Sequence, residues 1–207
     1  MELTPRPDTL AGCPTGGPTS FTAIRGTSHP LALVGQLHHT RSITLATPDM
    51  NLILWRHAEA EDLPDALSLS RHADMQRPLT RRGRKQAEAS AKWLRAHLPS
   101  DTRVLCSPSV RTRETAAALT GNAQIVEELA PGADVSAVLA AVQWPERTEH
   151  VVVVGHQPWI GRVASLLLAG NEMDWSVRKA GIWWLTGRTR ESEAQTVLRA
   201  VINPEFL

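Results

Sequence analysis

The sequence predicts an α/β sandwich built on a largely parallel sheet. Two observations predict it. Three short apolar segments read as strands covered on both faces: residues 52–55 (Leu-Ile-Leu-Trp), 103–106 (Arg-Val-Leu-Cys) and 151–154 (four valines). Helical patterns lie between them, and a chain in which strands alternate with helices folds most simply with its strands parallel and its helices packed on the sheet.

The elements follow in order. Thr80 is placed to cap a helix running to about residue 97, with Ala87, Ala91, Leu94 and Leu98 at helical spacing. Ser107-Pro108 reads as a helix start, Ser as the cap and Pro at the first position. Asp134 caps a pattern carrying Val135, Val138, Leu139 and Val142, and Pro158 opens another to about residue 168. Residues 182–186 and 196–202 suggest an antiparallel pair joined across a polar turn at Gly187. Trp183 and Trp184 are adjacent on the first of these, so one is expected to face the core and the other outward; core or partial burial is the reading for both, an exposed partner surface the alternative.

Residues 1–49 differ from the rest. They are rich in Pro, Gly and Thr at the start, with one apolar cluster at 31–34 and adjacent histidines, His38 and His39, which read as solvated. This segment is expected to be disordered or loosely attached, with Met50 an alternative natural start and residues 50–207 forming one domain.

The chain has 207 residues, 42% hydrophobic and 21% charged, and a net charge of +1, which gives no reason to expect nucleic acid or an anionic membrane as partner. Its two cysteines, Cys13 and Cys106, form no C-x-x-C pair, which speaks against a disulfide framework or a zinc site. No apolar run approaches the roughly 18–20 residues of a membrane span, and the N-terminus lacks a secretory layout. The cytoplasm is the expected location.

In parallel sheets, ligands bind beyond the carboxyl ends of the strands. Here the first predicted strand is followed by Arg56-His57, the second by Ser107-Pro108 and then Arg111, and the third by Gly155-His156. Each alone is unremarkable, since Ser-Pro is good capping and Gly-His an ordinary loop. Together they deliver two guanidiniums and two imidazoles to one edge. Guanidiniums present planar forks matched to phosphate oxygens, and a neutral imidazole can attack phosphorus and carry the phosphoryl group. Phosphoryl transfer needs mainly positioning and charge stabilisation, so His57 is the candidate nucleophile and His156 a donor to the transferring group, without a metal or other cofactor. His57-Ala58-Glu59 is an H-x-E, but no P-C-x-x-C follows it; nor is there a Walker A, a G-x-G-x-x-G or a G-x-S-x-G.

These residues resemble the histidine phosphatase superfamily, which includes the phosphoglycerate mutases. The resemblance is carried by Arg56-His57-Ala58, then Arg77-Pro78-Leu79-Thr80, Gly83 and Gln86-Ala87, then Ser107-Pro108-Ser109-Val110-Arg111 and Glu114-Thr115-Ala116, and finally Val154-Gly155-His156. It departs from the pattern at Ala58, where the family has Gly. The short chain and the Arg-Pro-Leu-Thr segment are most similar to the SixA-type branch. The resemblance implies a three-layer, phosphoglycerate mutase-like fold with helices on both faces of the sheet. It further implies His57 as nucleophile, His156 as second histidine, Arg56 and Arg111 as phosphate ligands, and Arg77 facing the pocket. Many relatives use a carboxylate as general acid, for which Glu127 and Glu128 are the candidates by position. The expected activity is removal of a phosphoryl group from phosphohistidine on a protein. The alternatives are hydrolysis of small phosphomonoesters, such as sugar or nucleotide phosphates, and a non-catalytic phosphate-binding module.

Overall fold

The computed structural model describes residues 50–207, apart from Ser68, Thr148, Glu191 and Ser192. Residues 1–49, with His38, His39, Cys13 and the expectation of a loose leader, lie outside the described residues.

The strands are β1 (Met50–Arg56), β2 (Arg103–Cys106), β3 (Gln124–Ile125), β4 (His150–Gly155), β5 (Ile182–Arg190) and β6 (Glu193–Ile202). They form one sheet in the order β3-β2-β4-β1-β5-β6. β1 to β4 are parallel, β5 runs antiparallel to β1, and β6 returns antiparallel to β5. The helices are α1 (Arg71–Met75), α2 (Arg81–His97), α3 (Val110–Ala117), α4 (Val135–Val142) and α5 (Trp159–Ala169).

Successive side chains of a strand point to opposite faces, and here both faces are covered. Leu52 and Leu54 of β1, Leu105 of β2, and Val151 and Val153 of β4 pack against Val138 of α4 and Ile160 and Val163 of α5. Their neighbours Ile53, Trp55, Cys106, Val152 and Val154 pack against Ala91 and Leu94 of α2 and Ala116 of α3. The predicted α/β sandwich is therefore the observed one, with three layers.

Two expectations need correction. Ser107 does not cap α3; Ser109 does, its Oγ accepting from the backbone N–H of Thr112, and Pro108 precedes the helix. The Ser107 hydroxyl is drawn away from the helix, 2.8 Å from Nε2 of His156, and keeps only a long 3.4 Å bond from the Ser109 N–H. The turn between β5 and β6 is not at Gly187, which lies inside β5 between Met50 and Thr196; a glycine without a side chain is accommodated there in the ladder, and pairing runs on to Arg190 opposite Glu193. The adjacent tryptophans take opposite faces as expected. Trp184 is buried against the α2 side, while Trp183 is partly buried and packs against Trp175, with ring centroids 5.9 Å apart. Both faces of β5 are covered: Trp183 and Leu185 belong to the α4–α5 side of the core, Ile182 and Trp184 to the α2–α3 side.

Register sets up the site. Arg56 lies opposite Gly155, and Cys106 opposite Val154. With β4 between β1 and β2, His57, His156 and Ser107 leave the same edge of the sheet side by side. The ladder extends one step further at that edge: His57 N–H donates to the Gly155 carbonyl and Ser107 N–H to that of Val154.

Candidate active site

The His57 ring stands beside that of His156, their centroids 5.2 Å apart and tilted by 54°. Nδ1 of His57 lies 2.7 Å from the carbonyl oxygen of Ala58. A carbonyl can only accept, so Nδ1 carries the proton and Nε2 is left with its lone pair. Burial holds the ring neutral: its pKa is lowered to about 3, by desolvation first and then by the charges of Arg111, Arg56 and Arg77, against the Ala58 bond, which favours the proton. The result is an unprotonated, oriented nitrogen among cations.

His156 is buried, with its pKa lowered to about 2 by desolvation first, then by His57, Arg111 and Arg56. Its Nε2 is 2.8 Å from the hydroxyl of fully buried Ser107. Its Nδ1 is buried without a partner among the described residues.

Arg56 and Arg111 flank the histidines. Burial lowers the pKa of both, in Arg111 against the raising effect of Asp74. Nη1 of Arg56 donates to the Val177 carbonyl at 2.6 Å. Arg111, 4% exposed, donates from Nη1 to the Asp74 carbonyl at 2.5 Å and from Nη2 to the Asp74 carboxylate at 2.9 Å. The other oxygen of that carboxylate accepts from Nη1 of Arg77 at 3.1 Å. Arg77 is further tied to the Glu61 carbonyl and to Asp62. Arg77 thus reaches the site through Asp74. The Nε atoms of both Arg56 and Arg111 are buried and have no partner among the described residues.

The remaining motif residues hold this edge in place. Glu114 accepts from the Leu79 N–H and from Arg84. Thr115 accepts from the Ala58 N–H at 3.1 Å and donates to the Arg111 carbonyl at 2.7 Å, joining the two strand ends. Thr80 caps α2 by accepting from the Gly83 N–H. At Gly83 a Cβ would stand 1.9 Å from the Glu59 carbonyl oxygen, so only glycine lets α2 approach the loop after His57. Ala58 is fully buried and has no positive φ, so its methyl group replaces the family's glycine without backbone strain.

Glu127 and Glu128 lie on a short 3-10 turn after β3, the edge strand. Both are exposed, and neither forms an ion pair with a residue of the site among the described residues. The carboxylate that the fold brings to the arginines is Asp74, which sequence reasoning missed. Its spacing of three residues from Arg77 was a visible signal for one of its two partners; nothing local pointed to Arg111. Ser107 was read as a cap, and its contact with His156 spans 49 residues.

Among the described residues no group of three or more His, Cys, Asp or Glu could hold a metal ion, and no helix is long and apolar enough to cross a membrane. What the arrangement offers is a neutral imidazole beside a second one, in the field of Arg111, Arg56 and Arg77, a combination chemically suited to a phosphoryl group.

The chain belongs to the histidine phosphatase superfamily (branch 1), whose model matches residues 52–133, and it is a phosphatase. Phosphohistidine phosphatase SixA of Escherichia coli K12 is 30% identical over 130 residues, a match covering 59% of this chain and 76% of that protein. A solved structure of the protein histidine phosphatase SixA with tungstate has 27% identity and a TM-score of 0.59, covering 76% of this chain and 99% of that one. A mycobacterial glucosyl-3-phosphoglycerate phosphatase, at 17% identity and a TM-score of 0.53 over 73% of this chain and 98% of its own, shares the fold alone.

Proposed function

We propose that this phosphatase removes the phosphoryl group from phosphohistidine on a protein, through a covalent intermediate on His57. The observation that carries it is that, of the five buried side-chain polar atoms without partners among the described residues, three are Nε of Arg56, Nε of Arg111 and Nδ1 of His156, the residues grouped with His57 and its free Nε2. Leaving a buried donor unmet costs roughly 1–3 kcal/mol. A phosphoryl group on His57 supplies the acceptor oxygens that would meet all three.

The lone pair on Nε2 attacks phosphorus. The new N–P bond forms as the N–P bond to the substrate imidazole breaks, and the departing nitrogen keeps the electron pair and takes a proton from water. Arg56 and Arg111 balance charge on the equatorial oxygens. The Ser107 hydroxyl, donating to Nε2 of His156, leaves the proton on Nδ1 of that ring for a phosphoryl oxygen. Water oxygen then attacks phosphorus as the Nε2–P bond breaks and its electron pair returns to Nε2; the proton this water releases neutralises the hydroxide left by protonation of the departing imidazole, giving inorganic phosphate and the neutral ring with its Nδ1 proton on the Ala58 carbonyl.

The choice of phosphohistidine over a phosphomonoester rests on the leaving group. Exchange of one N–P bond for another is nearly balanced in energy, and imidazole leaves without a strong acid. An alkoxide needs a proton. The carboxylate brought to the arginines, Asp74, is a poor donor, because hydrogen bonds and charge from Arg77 and Arg111 outweigh the opposing effect of burial and hold it below the usual carboxylate range. The similarity to SixA supports the same choice, and the cytoplasm remains the expected compartment.

The test is turnover of a phosphohistidine-bearing protein domain and of an aryl phosphate, each with the wild type and with His57→Ala. Fast, His57-dependent loss of phosphohistidine with little ester hydrolysis is expected. The opposite preference would overturn the reading in favour of a small-molecule phosphatase.

A further inference from the structure

Beside the phosphoryl site lies a second cleft of about 340 Å³ that shares Arg56 with it. Glu59, Arg82 and Gln86 form one wall, Ser176, Arg178 and Lys179 another, and Pro204 and Glu205 a third. Four cations face two carboxylates there. The Arg82–Glu59 pair is loose at 3.6 Å and the Arg178–Glu205 pair looser at 4.0 Å, with the two arginine side chains 76% and 74% exposed. Lys179 forms no ion pair among the described residues.

The wall carrying Arg178 and Lys179 is held firmly. The Val177 carbonyl accepts from the Arg56 guanidinium, and Ala180 N–H donates to the His57 carbonyl at 3.1 Å. The Ala180 carbonyl accepts from both the Trp55 indole and the Ser90 hydroxyl. The Gly181 carbonyl accepts from the Arg56 N–H. Val177 and Ala180 are fully buried, and Ala180 is held at φ 58°, a left-handed conformation unfavourable for alanine. Between these anchors the two cations stand exposed. A loop pinned to the nucleophile's own backbone, with its charged tip in solvent, is preorganised for an anion next to the reacting phosphoryl group.

We infer that this cleft docks an acidic side chain of the protein that carries the phosphohistidine, so that Arg178, Lys179 and Arg82 select a substrate whose phosphohistidine is flanked by carboxylates. The inference rests on the function proposed above. A protein rather than a small molecule is favoured because the cations are exposed at a projecting turn, where they act over a distance on a partner's charged surface. The loop is anchored by backbone atoms at 177, 180 and 181, so exchanging the side chains at 178 and 179 leaves every anchor intact.

The experiment compares wild type with an Arg178→Glu/Lys179→Glu variant on a phosphohistidine domain with an acidic surface and on free phosphohistidine, at several salt concentrations. A thermal melt checks folding. The expected result is a fall of about tenfold in kcat/KM on the protein, carried by KM, with loss of its salt dependence. Turnover of free phosphohistidine should change less than about twofold. An equal fall on both substrates would show that the loop only positions Arg56 and His57, and overturns the inference. No change on either substrate overturns it as well. If only small molecules bearing a second anionic group respond, the cleft is a small-molecule subsite and the protein partner is wrong. A wild type that leaves the phosphohistidine domain untouched while hydrolysing aryl phosphate sinks the proposed function itself, and this inference with it.

Discussion

The carboxylate of Asp74 lies 2.9 Å from Nη2 of Arg111, with its other oxygen on Arg77. A side chain of the protein therefore holds the same guanidinium that a phosphoryl group would use. Two arginines in contact with one anion are kept from repelling each other, and Arg111 is held in position, but an incoming anion must share or displace its partner.

Asp74→Asn tests which effect dominates. Asparagine keeps an acceptor and drops the charge. If Asp74 competes with the phosphoryl group, inhibition by inorganic phosphate should tighten about fivefold, equivalent to roughly 1 kcal/mol for a partly exposed charge pair. A weaker inhibition in the variant would show that Asp74 serves Arg111 mainly by positioning it.

The two histidines make stability depend on pH. Their folded pKa values, about 3 for His57 and about 2 for His156, lie below the ordinary value of 6.5. The unfolded chain therefore binds protons first as pH falls, and stability present above pH 6.5 is lost as pH drops toward those folded values. The cost is on the order of 1 kcal/mol per pH unit for each ring, the two titrating as a coupled pair. Thermal midpoints should fall between pH 7 and pH 5, and a His57→Asn/His156→Asn variant should fall less steeply. A flat wild-type profile would contradict the burial of neutral rings.

Ser107→Ala should act on chemistry without touching Arg56 or Arg111, the proposed phosphate ligands. Loss of the hydroxyl frees the proton of His156 to sit on Nε2, so Nδ1 no longer donates. A drop in kcat of roughly tenfold is expected, at the low end for a donor to a transferring group, with KM nearly unchanged. A rise in KM alone would place Ser107 in substrate binding instead.

Chelators should leave turnover unaltered, because Arg56, Arg111 and His156 supply the charge stabilisation assigned to them. Inhibition by EDTA that added metal reverses would sink that assignment.

Much of the fold was legible in the sequence because burial leaves local marks. A strand covered on both faces must be apolar throughout, as residues 151–154 are, and a helix such as α2 shows its buried stripe and its Thr80 cap within a few residues. Residue type and position after a strand were enough to single out Arg56, His57, Arg111 and His156. Other features left weaker traces. β3 is two exposed residues long, too short to show a period, and α1 has no buried residue to betray it.

By itself, then, the sequence determined every strand but β3, the longer helices and the four side chains that follow the strands, since each is encoded by nearby hydrophobic pattern or residue type. Tertiary structure alone decided that β4 sits between β1 and β2, which puts His57 beside His156. It alone set the bond of Ser107 to His156 and joined Asp74 to Arg111, 37 residues away. Such contacts depend on strand order and on the packing of α2 over the loop after His57. These follow from how the whole core closes, and no local pattern carries them.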